Sequence, residues 1–217
     1  GLRQDDSLPG KLAAVEAQMR RHLGKTLPVI ISEFGMGNAR NREFMTSVTS
    51  PVLVADMWRR LVESPLVHGA NKWCMFKGYW FSQIQGTTRQ HPDAPYYNRP
   101  EQIMHVIYAR CRGPERLPLE TVEAEGVRAV VFRRPEHYGV VLISRDAVTR
   151  QCVLLDLPDL QSGTAACTLL TAGHPFLGNE NDHELVQPYE FEFPFAPDEP
   201  IAVPSNSVMG LILPRRP

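Results

Sequence analysis

The sequence lacks any strong excess of charge of one sign. Its 217 residues include 23 Lys and Arg against 24 Asp and Glu, which gives a formal net charge of −1. Proteins that bind nucleic acids gather basic residues in runs or on one face. Because the basic residues here are scattered among acids, we expect no nucleic-acid partner.

Long hydrophobic runs are also missing. A helix that spans a bilayer needs about 20 predominantly apolar residues in succession, and no stretch of the sequence approaches that length. We therefore expect no membrane partner. The sequence shows no signal peptide and no initiating Met, and it leaves a secreted, periplasmic or cytoplasmic location equally open.

Cysteine is scarce, and no two of the four cysteines have Cys-x-x-Cys spacing or an adjacent histidine ligand. We therefore expect no zinc site. Isolated cysteines in apolar segments are typically small buried residues, and a Cys152–Cys167 disulfide is the less favoured alternative. The sequence also lacks a phosphate loop, a dinucleotide fingerprint and a Ser-His-Asp arrangement. We expect no cofactor.

The first half of the chain alternates between helical and strand patterns. Apolar spacing predicts a helix over 11–23 that Gly24 closes, a strand over 29–32, and a helix that runs from Pro51 to residue 64. A strand over 70–76 and a helix from Pro100 to about residue 110 follow. The connections suit parallel strands, so we predict an α/β fold for this half.

The second half changes character near residue 113. Short segments rich in β-branched and aromatic residues, separated by Pro, Gly, Asn and Asp, are typical of an antiparallel β-sandwich. They lie at 127–132, 138–144, 151–155, 166–170, 189–193 and 208–213. We predict two domains, one over residues 1–112 and the other over 113–217.

The predicted α/β half is too small to stand alone. Two parallel strands cannot close a barrel, and they would leave both sheet edges and much apolar surface uncovered. We therefore expect residues 1–112 to be the last part of a larger α/β domain. The remaining N-terminal segment would lie on the same chain or on another one.

Segment 30–35, Ile-Ile-Ser-Glu-Phe-Gly, is the most informative part of the sequence. It predicts a buried strand that places Glu33 at its carboxyl end, where α/β barrels carry out catalysis. Gly35 would turn the chain and leave room for a ligand beside the acid. These residues favour Glu33 as the nucleophile of a sugar-cleaving enzyme. Alternatively, Glu33 caps a loop or pairs with Arg40 or Arg42.

The same segment resembles the seventh-strand motif of retaining glycoside hydrolases with a (β/α)8 TIM barrel, the group called clan A. The predicted helix after it and segment 68–73, His-Gly-Ala-Asn-Lys-Trp, resemble the following helix and the eighth strand. This resemblance implies that Glu33 is the catalytic nucleophile and that Trp73 lies near the cleaved sugar. No cofactor is implied.

The sandwich half carries a second resemblance. Segment 176–188 resembles the Asn-rich segment late in family 51 α-L-arabinofuranosidases, and segment 201–213 looks like the closing strand of their C-terminal sandwich. Families 39 and 51 attach such a sandwich after the eighth barrel helix. The resemblance implies the last two βα units of a TIM barrel followed by a β-sandwich. The clan's acid/base glutamate lies in an Asn-Glu-Pro-like motif, which this chain lacks.

Other residues are candidates for binding sugar. Aromatic faces stack on the C–H faces of sugars, and the loop after Glu33 offers groups for hydroxyls or carboxylates. The alternatives are aromatic packing and a solvated loop. By strand alternation, Lys72 lies on the opposite face from Trp73, and we expect it to be solvated or salt-bridged rather than catalytic. The candidate binding residues are Trp73, Trp80, Tyr79, Asn38 and Arg40.

These observations predict a glycoside hydrolase that cleaves oligo- or polysaccharides by double displacement. An α-L-arabinofuranoside, a β-xyloside and a β-glucan all remain admissible substrates. Two alternatives stay open. The chain could be a non-catalytic protein of the same descent that binds a carbohydrate or a partner, or a sandwich carbohydrate-binding module with a helical appendage.

Overall fold

A computed structural model describes residues 7–35, 42–75, 82–85, 96–119 and 126–216. In these ranges the helices are α1 (Ser7–Leu23), α2 (Arg42–Thr46), α3 (Thr49–Glu63) and α4 (Pro100–Cys111). The strands are β1 (Val29–Phe34), β2 (Val67–Lys72), β3 (Ile84–Gln85), β4 (Tyr97–Asn98), β5 (Glu115–Leu117), β6 (Val127–Arg133), β7 (His137–Ser144), β8 (Gln151–Val153), β9 (Gly163–Leu170), β10 (Tyr189–Phe195), β11 (Ile201–Val203) and β12 (Ser207–Pro214).

Strands β1 and β2 form a parallel pair, as the sequence predicted. Val29 pairs with Val67, and Phe34 pairs with Lys72. The second strand, predicted over 70–76, instead begins at Val67 and ends at Lys72. Gly69 is a poor strand former, so the local sequence did not indicate that the strand begins before it. Pairing with β1 sets that start.

The three long helices lie where the apolar spacing placed them. Gly24 ends α1 in a left-handed conformation, with φ at 68°, and its N–H donates to the Arg20 carbonyl at 3.1 Å. That is the usual role of a glycine after a helix. Pro100 opens α4 after an extended Arg99, since the fixed φ of proline suits the first turn.

The predicted loops contain short elements that the sequence did not reveal. Helix α2 lies between the strand predicted over 29–32 and the helix predicted from Pro51, and β3 pairs antiparallel with β4 between the strand predicted over 70–76 and the helix predicted from Pro100. Strands β5 and β11 were also missed. Each of these strands has two or three residues, too few to show a period.

A six-stranded antiparallel sheet forms the second half, in the order β10-β9-β12-β7-β6-β5. Its alternating side chains supply two cores. On one face Val140, Leu142 and Leu211 pack with Leu155 and with the small antiparallel pair β8–β11. On the other face, residues of the same strands pack against α3 and α4. The antiparallel character predicted for this half is confirmed.

Helices α3 and α4 connect the parallel pair to the antiparallel sheet. The Phe34 ring stands edge-on to the Trp58 indole of α3, with ring centroids 4.9 Å apart. Glycines bring α4 close to the sheet, because a Cβ at Gly139 would lie 1.8 Å from the Cys111 carbonyl oxygen. The position of β1 and β2 is therefore tied to the sheet through two packed helices.

All four cysteines are free, so the Cys152–Cys167 disulfide alternative is wrong. Cys111 and Cys167 are buried, and Cys152 is exposed. Burial raises the pKa of the Cys111 and Cys167 thiols to about 12, as expected for small buried residues.

Candidate active site

Glu33 and Trp73 lie at the carboxyl ends of two adjacent parallel strands. Glu33 is the fifth residue of β1, and Trp73 directly follows β2. The backbone N–H of Trp73 donates to the Phe34 carbonyl at 2.9 Å, which extends the strand pairing past the end of β2. The register between β1 and β2 is irregular between Ile31 and Phe34, and such irregularities re-aim side chains at active sites.

The side of the pair that carries these residues is open. Glu33 is exposed, and Trp73 exposes 51% of its surface. Ile30, earlier on the same strand, is 71% exposed even though it is a large apolar residue. An accessible carboxylate beside an accessible indole can meet a sugar ring from this side.

The opposite side of the pair is packed against α3 and α4. Trp58 contacts Phe34 and stands edge-on to His105 with centroids 6.0 Å apart. The Lys72 side chain lies on this packed side, where its Nζ is 2.8 Å from Glu101 Oε1 of α4. The strand alternation predicted this opposition of Lys72 and Trp73. The expected salt bridge of Lys72 is confirmed, but the expectation that this lysine lies outside is wrong, because its side chain is 4% exposed.

The room expected beside Gly35 is already filled. A methyl group added at Gly35 would lie 3.0 Å from the Trp73 carbonyl oxygen and 3.2 Å from Lys72 Nζ. Gly35 therefore permits a close approach of the two strand ends. Lys72 and Trp73, rather than a ligand, occupy the space that a side chain there would take.

Four of the six predicted site residues lie outside the described residues. These are Asn38, Arg40, Tyr79 and Trp80. The side chain of Arg42 also lies outside the described part, so the alternative pairing of Glu33 with Arg40 or Arg42 stays a prediction. The remaining two, Glu33 and Trp73, lie at the ends of adjacent strands.

Sequence reasoning missed Glu101 and His105 as neighbours of the site. His105 Nε2 lies 3.5 Å from the same Glu101 oxygen that faces Lys72. A helix whose first turn carries an acid, with a histidine one turn later, was the available signal. It could not show which strand residue the acid would meet.

A second charged cluster joins α4 to the Asn-rich segment 176–188. The Tyr97 hydroxyl donates to Glu180 Oε1 at 2.9 Å, and the Arg99 guanidinium contacts both Glu180 oxygens. Burial, and then the Glu180 carboxylate, raises the pKa of Tyr97 to about 12. Asn179 fixes the same segment through both the N–H and the carbonyl of Val186. This cluster holds the chain around the start of α4.

No group of three or more His, Cys, Asp or Glu side chains in the described ranges could hold a metal ion. No helix of the described part is long and apolar enough to cross a membrane.

Comparison with known sequences gives no match to a family model or to a curated protein. Solved structures do match. A family 51 α-L-arabinofuranosidase from Thermotoga petrophila aligns with a TM-score of 0.75 at 10% identity, over 97% of this chain and 48% of that one. The α-L-arabinofuranosidase of Thermotoga maritima gives 0.72 at 11% identity, over 95% and 48%.

A β-xylosidase from Caulobacter crescentus also aligns, with a TM-score of 0.63 at 14% identity, over 98% of this chain and 50% of that one. In another arabinofuranosidase of family 51 the chain covers 28% of the structure. The chain thus spans half or less of the length of these proteins. Over the part that it spans, its fold is similar to that of clan-A glycoside hydrolases.

Proposed function

We propose that this chain is part of a retaining glycoside hydrolase in which Glu33 is the catalytic nucleophile. The observation that carries the proposal is the placement of Glu33 and Trp73 at the carboxyl ends of adjacent parallel strands, in a chain similar in fold to clan-A glycoside hydrolases. Catalytic residues of α/β barrels lie at that end of the strands. Here β1 and β2 are the last two strands of a (β/α)8 barrel, and the antiparallel sheet belongs to a C-terminal β-sandwich that begins near residue 113.

The proposed chemistry is a double displacement. The Glu33 carboxylate attacks the anomeric carbon, the glycosidic bond breaks, and a covalent glycosyl-enzyme forms. A second carboxyl group about 5–5.5 Å away protonates the leaving oxygen and then activates the water that hydrolyses the intermediate. The chain has no Asn-Glu-Pro motif for this second group. The acid/base therefore belongs to the remaining barrel segment, on the same chain or on another one.

The uncovered face of the parallel pair supports a missing segment. Among the described strands, β1 and β2 pair only with each other, and Ile30 leaves 71% of its surface exposed. A two-stranded sheet with an apolar face is stable only when other elements cover it. Further strands of a barrel would pair with both edges and cover this face.

The proposed substrate is an oligo- or polysaccharide. Trp73 offers an exposed indole on which a sugar ring can stack, and the proposed contacts of Asn38, Arg40, Tyr79 and Trp80 complete the binding site. Arabinofuranosides and xylosides are favoured, because the similar structures include arabinofuranosidases and a xylosidase.

A substitution of the nucleophile tests the mechanism in the complete protein that carries this chain. We expect Glu33→Ala to lower turnover of an activated aryl glycoside about 1,000-fold or more. Added azide should restore turnover and give a glycosyl azide of inverted configuration, because the small anion takes the place of the lost carboxylate. Glu43→Ala, an exposed acid on α2, is the matched control and should retain wild-type turnover.

A 2-deoxy-2-fluoro glycoside with a good leaving group gives a second test. It should trap the intermediate, and mass spectrometry should find the added sugar on the peptide that contains Glu33. Unchanged turnover in Glu33→Ala contradicts the mechanism.

One observation favours a non-catalytic alternative: this chain has no Asn-Glu-Pro motif for the second carboxyl group. Sugar binding by the complete protein without any hydrolysis would support that alternative, a binding protein of the same descent.

A further inference from the structure

A lysine and a glutamate are buried together behind the candidate active site. Lys72 Nζ lies 2.8 Å from Glu101 Oε1, and the two side chains are 4% and 8% exposed. Burial of two opposite charges rarely stabilises a fold more than an apolar pair of similar volume would. Stabilisation of the fold therefore does not by itself explain the buried pair, and the groups that Lys72 holds in position matter as well.

Lys72 holds the backbone of the residue that follows it. Its ammonium donates a hydrogen bond to the Trp73 carbonyl at 2.7 Å. From the other side, the Trp73 N–H donates to the Phe34 carbonyl at 2.9 Å. Both backbone polar groups of Trp73 are thus fixed, which sets the direction in which its Cβ leaves the strand end.

The same lysine lies under the turn that follows Glu33. A methyl group at Gly35 would come within 3.2 Å of both Lys72 Cε and Lys72 Nζ. The Lys72 side chain therefore fills the space between the two strand ends. A displaced Lys72 would release residues 34–35 on one side and Trp73 on the other.

Glu101 connects this point to the antiparallel sheet. It lies in the first turn of α4, and the last turn of α4 packs directly on the sheet, where a Cβ at Gly210 would lie 2.9 Å from Cys111 Sγ. A helix fixed at that end holds Glu101 in place. His105, one turn after Glu101, approaches the same carboxylate oxygen at 3.5 Å.

We infer that Lys72, held by Glu101, is a positioning residue that sets the geometry of Trp73 and Glu33 at the two strand ends. The inference rests on the proposed function, in which these two residues meet the sugar. Because Glu101 belongs to α4, the packing of α4 on the antiparallel sheet helps to set the positions of Trp73 and Glu33, although the sheet does not contact the substrate. Small displacements of reacting groups are costly in enzymes, since about 1 Å can lower a rate about 100-fold.

The test replaces the pair in two steps in the complete protein. Lys72→Met removes the ammonium and leaves the Glu101 carboxylate buried without its partner. The double variant Lys72→Met/Glu101→Leu replaces the ion pair by two apolar side chains, and it should fold at least as well as wild type. Lys25→Met, the same change at an exposed lysine, is the matched control.

Two readouts separate positioning from stability. Labelling with 5-fluorotryptophan gives one ¹⁹F signal for each tryptophan of the complete protein, three of which lie in this chain, and a Trp73→Phe substitution identifies the Trp73 signal. We expect the Trp73 signal to shift or broaden in Lys72→Met and in the double variant, but not in Lys25→Met. We expect kcat on an aryl glycoside to fall about 10- to 100-fold in both Lys72 variants, with a smaller change in KM.

The double variant decides the question. A positioning role predicts that its urea midpoint returns to the wild-type value or above, while the Trp73 signal and kcat stay altered. If the signal and kcat return together with the midpoint, or if Lys72→Met leaves the Trp73 signal unchanged, the inference is wrong. If wild type cleaves no glycoside, the proposed function is wrong. The ¹⁹F signal of Trp73 still shows in that case whether Lys72 positions the indole.

Discussion

The Arg99 guanidinium donates from Nε to Glu180 Oε1 at 2.8 Å and joins the residue before α4 to the Asn-rich segment 176–188. Arg99 is almost completely buried, and its Nη1 also donates to the Ser82 carbonyl at 3.1 Å. Residues far apart in the chain meet at this one side chain. The cluster therefore fixes the start of α4 from two sides.

Glu180→Ala should strongly destabilise the protein. Removal of one partner of a buried ion pair costs about 3–5 kcal/mol, because the other charge is left without compensation. The substitution also removes the acceptor of the Tyr97 hydroxyl. Urea unfolding at neutral pH measures the change, with Glu184→Ala, an exposed acid in the same segment, as the control. Equal unfolding free energies in the two variants would show that the cluster contributes nothing.

A second buried carboxylate makes stability depend on pH. Asp56 is fully buried on α3 and accepts from Arg59 at 2.7 Å, from Arg60 at 3.2 Å and from Arg145 at 3.1 Å. Burial alone would raise the pKa of Asp56, but attraction to Arg59 and Arg60 holds the pKa below its ordinary value of 3.8. In the unfolded chain this carboxyl group takes up its proton at a higher pH than in the folded protein.

The stabilisation by Asp56 is therefore complete above about pH 4 and is lost as the pH falls through the lower pKa of the folded state. Asp56→Asn should lower the free energy of unfolding at pH 7 by about 3 kcal/mol, and the difference from wild type should shrink below pH 4. Urea titrations between pH 2 and pH 7 measure this, with the exposed Asp198→Asn as the control. A difference that stays constant with pH would contradict the prediction.

Close approach of α4 to the sheet makes one glycine hard to replace. A Cβ at Gly139 would lie 1.8 Å from the Cys111 carbonyl oxygen and 2.5 Å from its carbon, so the helix or the strand must move. Overpacking of this kind costs about 1–3 kcal/mol or more. Gly173→Ala is the control, because a Cβ there meets nothing within 4 Å. We expect a large decrease in thermal midpoint for Gly139→Ala only, and similar midpoints in the two variants would show that the helix tolerates the added methyl group.

The candidate site was partly predictable because its residues follow local rules. The apolar run before Glu33, with Gly35 after it, marks the carboxyl end of a strand. The alternation of side chains along the next strand correctly put Lys72 on the face opposite Trp73. What alternation could not give was the partner of Lys72. Glu101 reaches it from a helix whose position depends on the packing of α4 against the sheet. A lone strand lysine carries no sign of that contact in sequence.

The fold was predicted best where elements are long. Helices α1 and α4 have helical spacing with Gly24 and Pro100 at their ends, so local sequence suffices. The start of β2 was predicted too late because His68 and Gly69 resist a strand assignment, and only pairing with β1 extends the strand to Val67. Tertiary pairing thus overrode local preference at this point.

The exposed Ile30 tests whether other barrel strands cover the parallel pair in the complete protein. Burial of a large aliphatic side chain contributes about 1.5–3 kcal/mol, so Ile30→Ser should lower the free energy of unfolding by about 2 kcal/mol if a missing segment covers β1. Val148→Ser, at an exposed apolar residue outside the strands of the sheet, is the control and should leave the free energy nearly unchanged. Denaturant unfolding of both variants measures the contrast. If Ile30→Ser costs no more than Val148→Ser, the side chain stays as exposed as it is here, and no further strand packs on that face of the site.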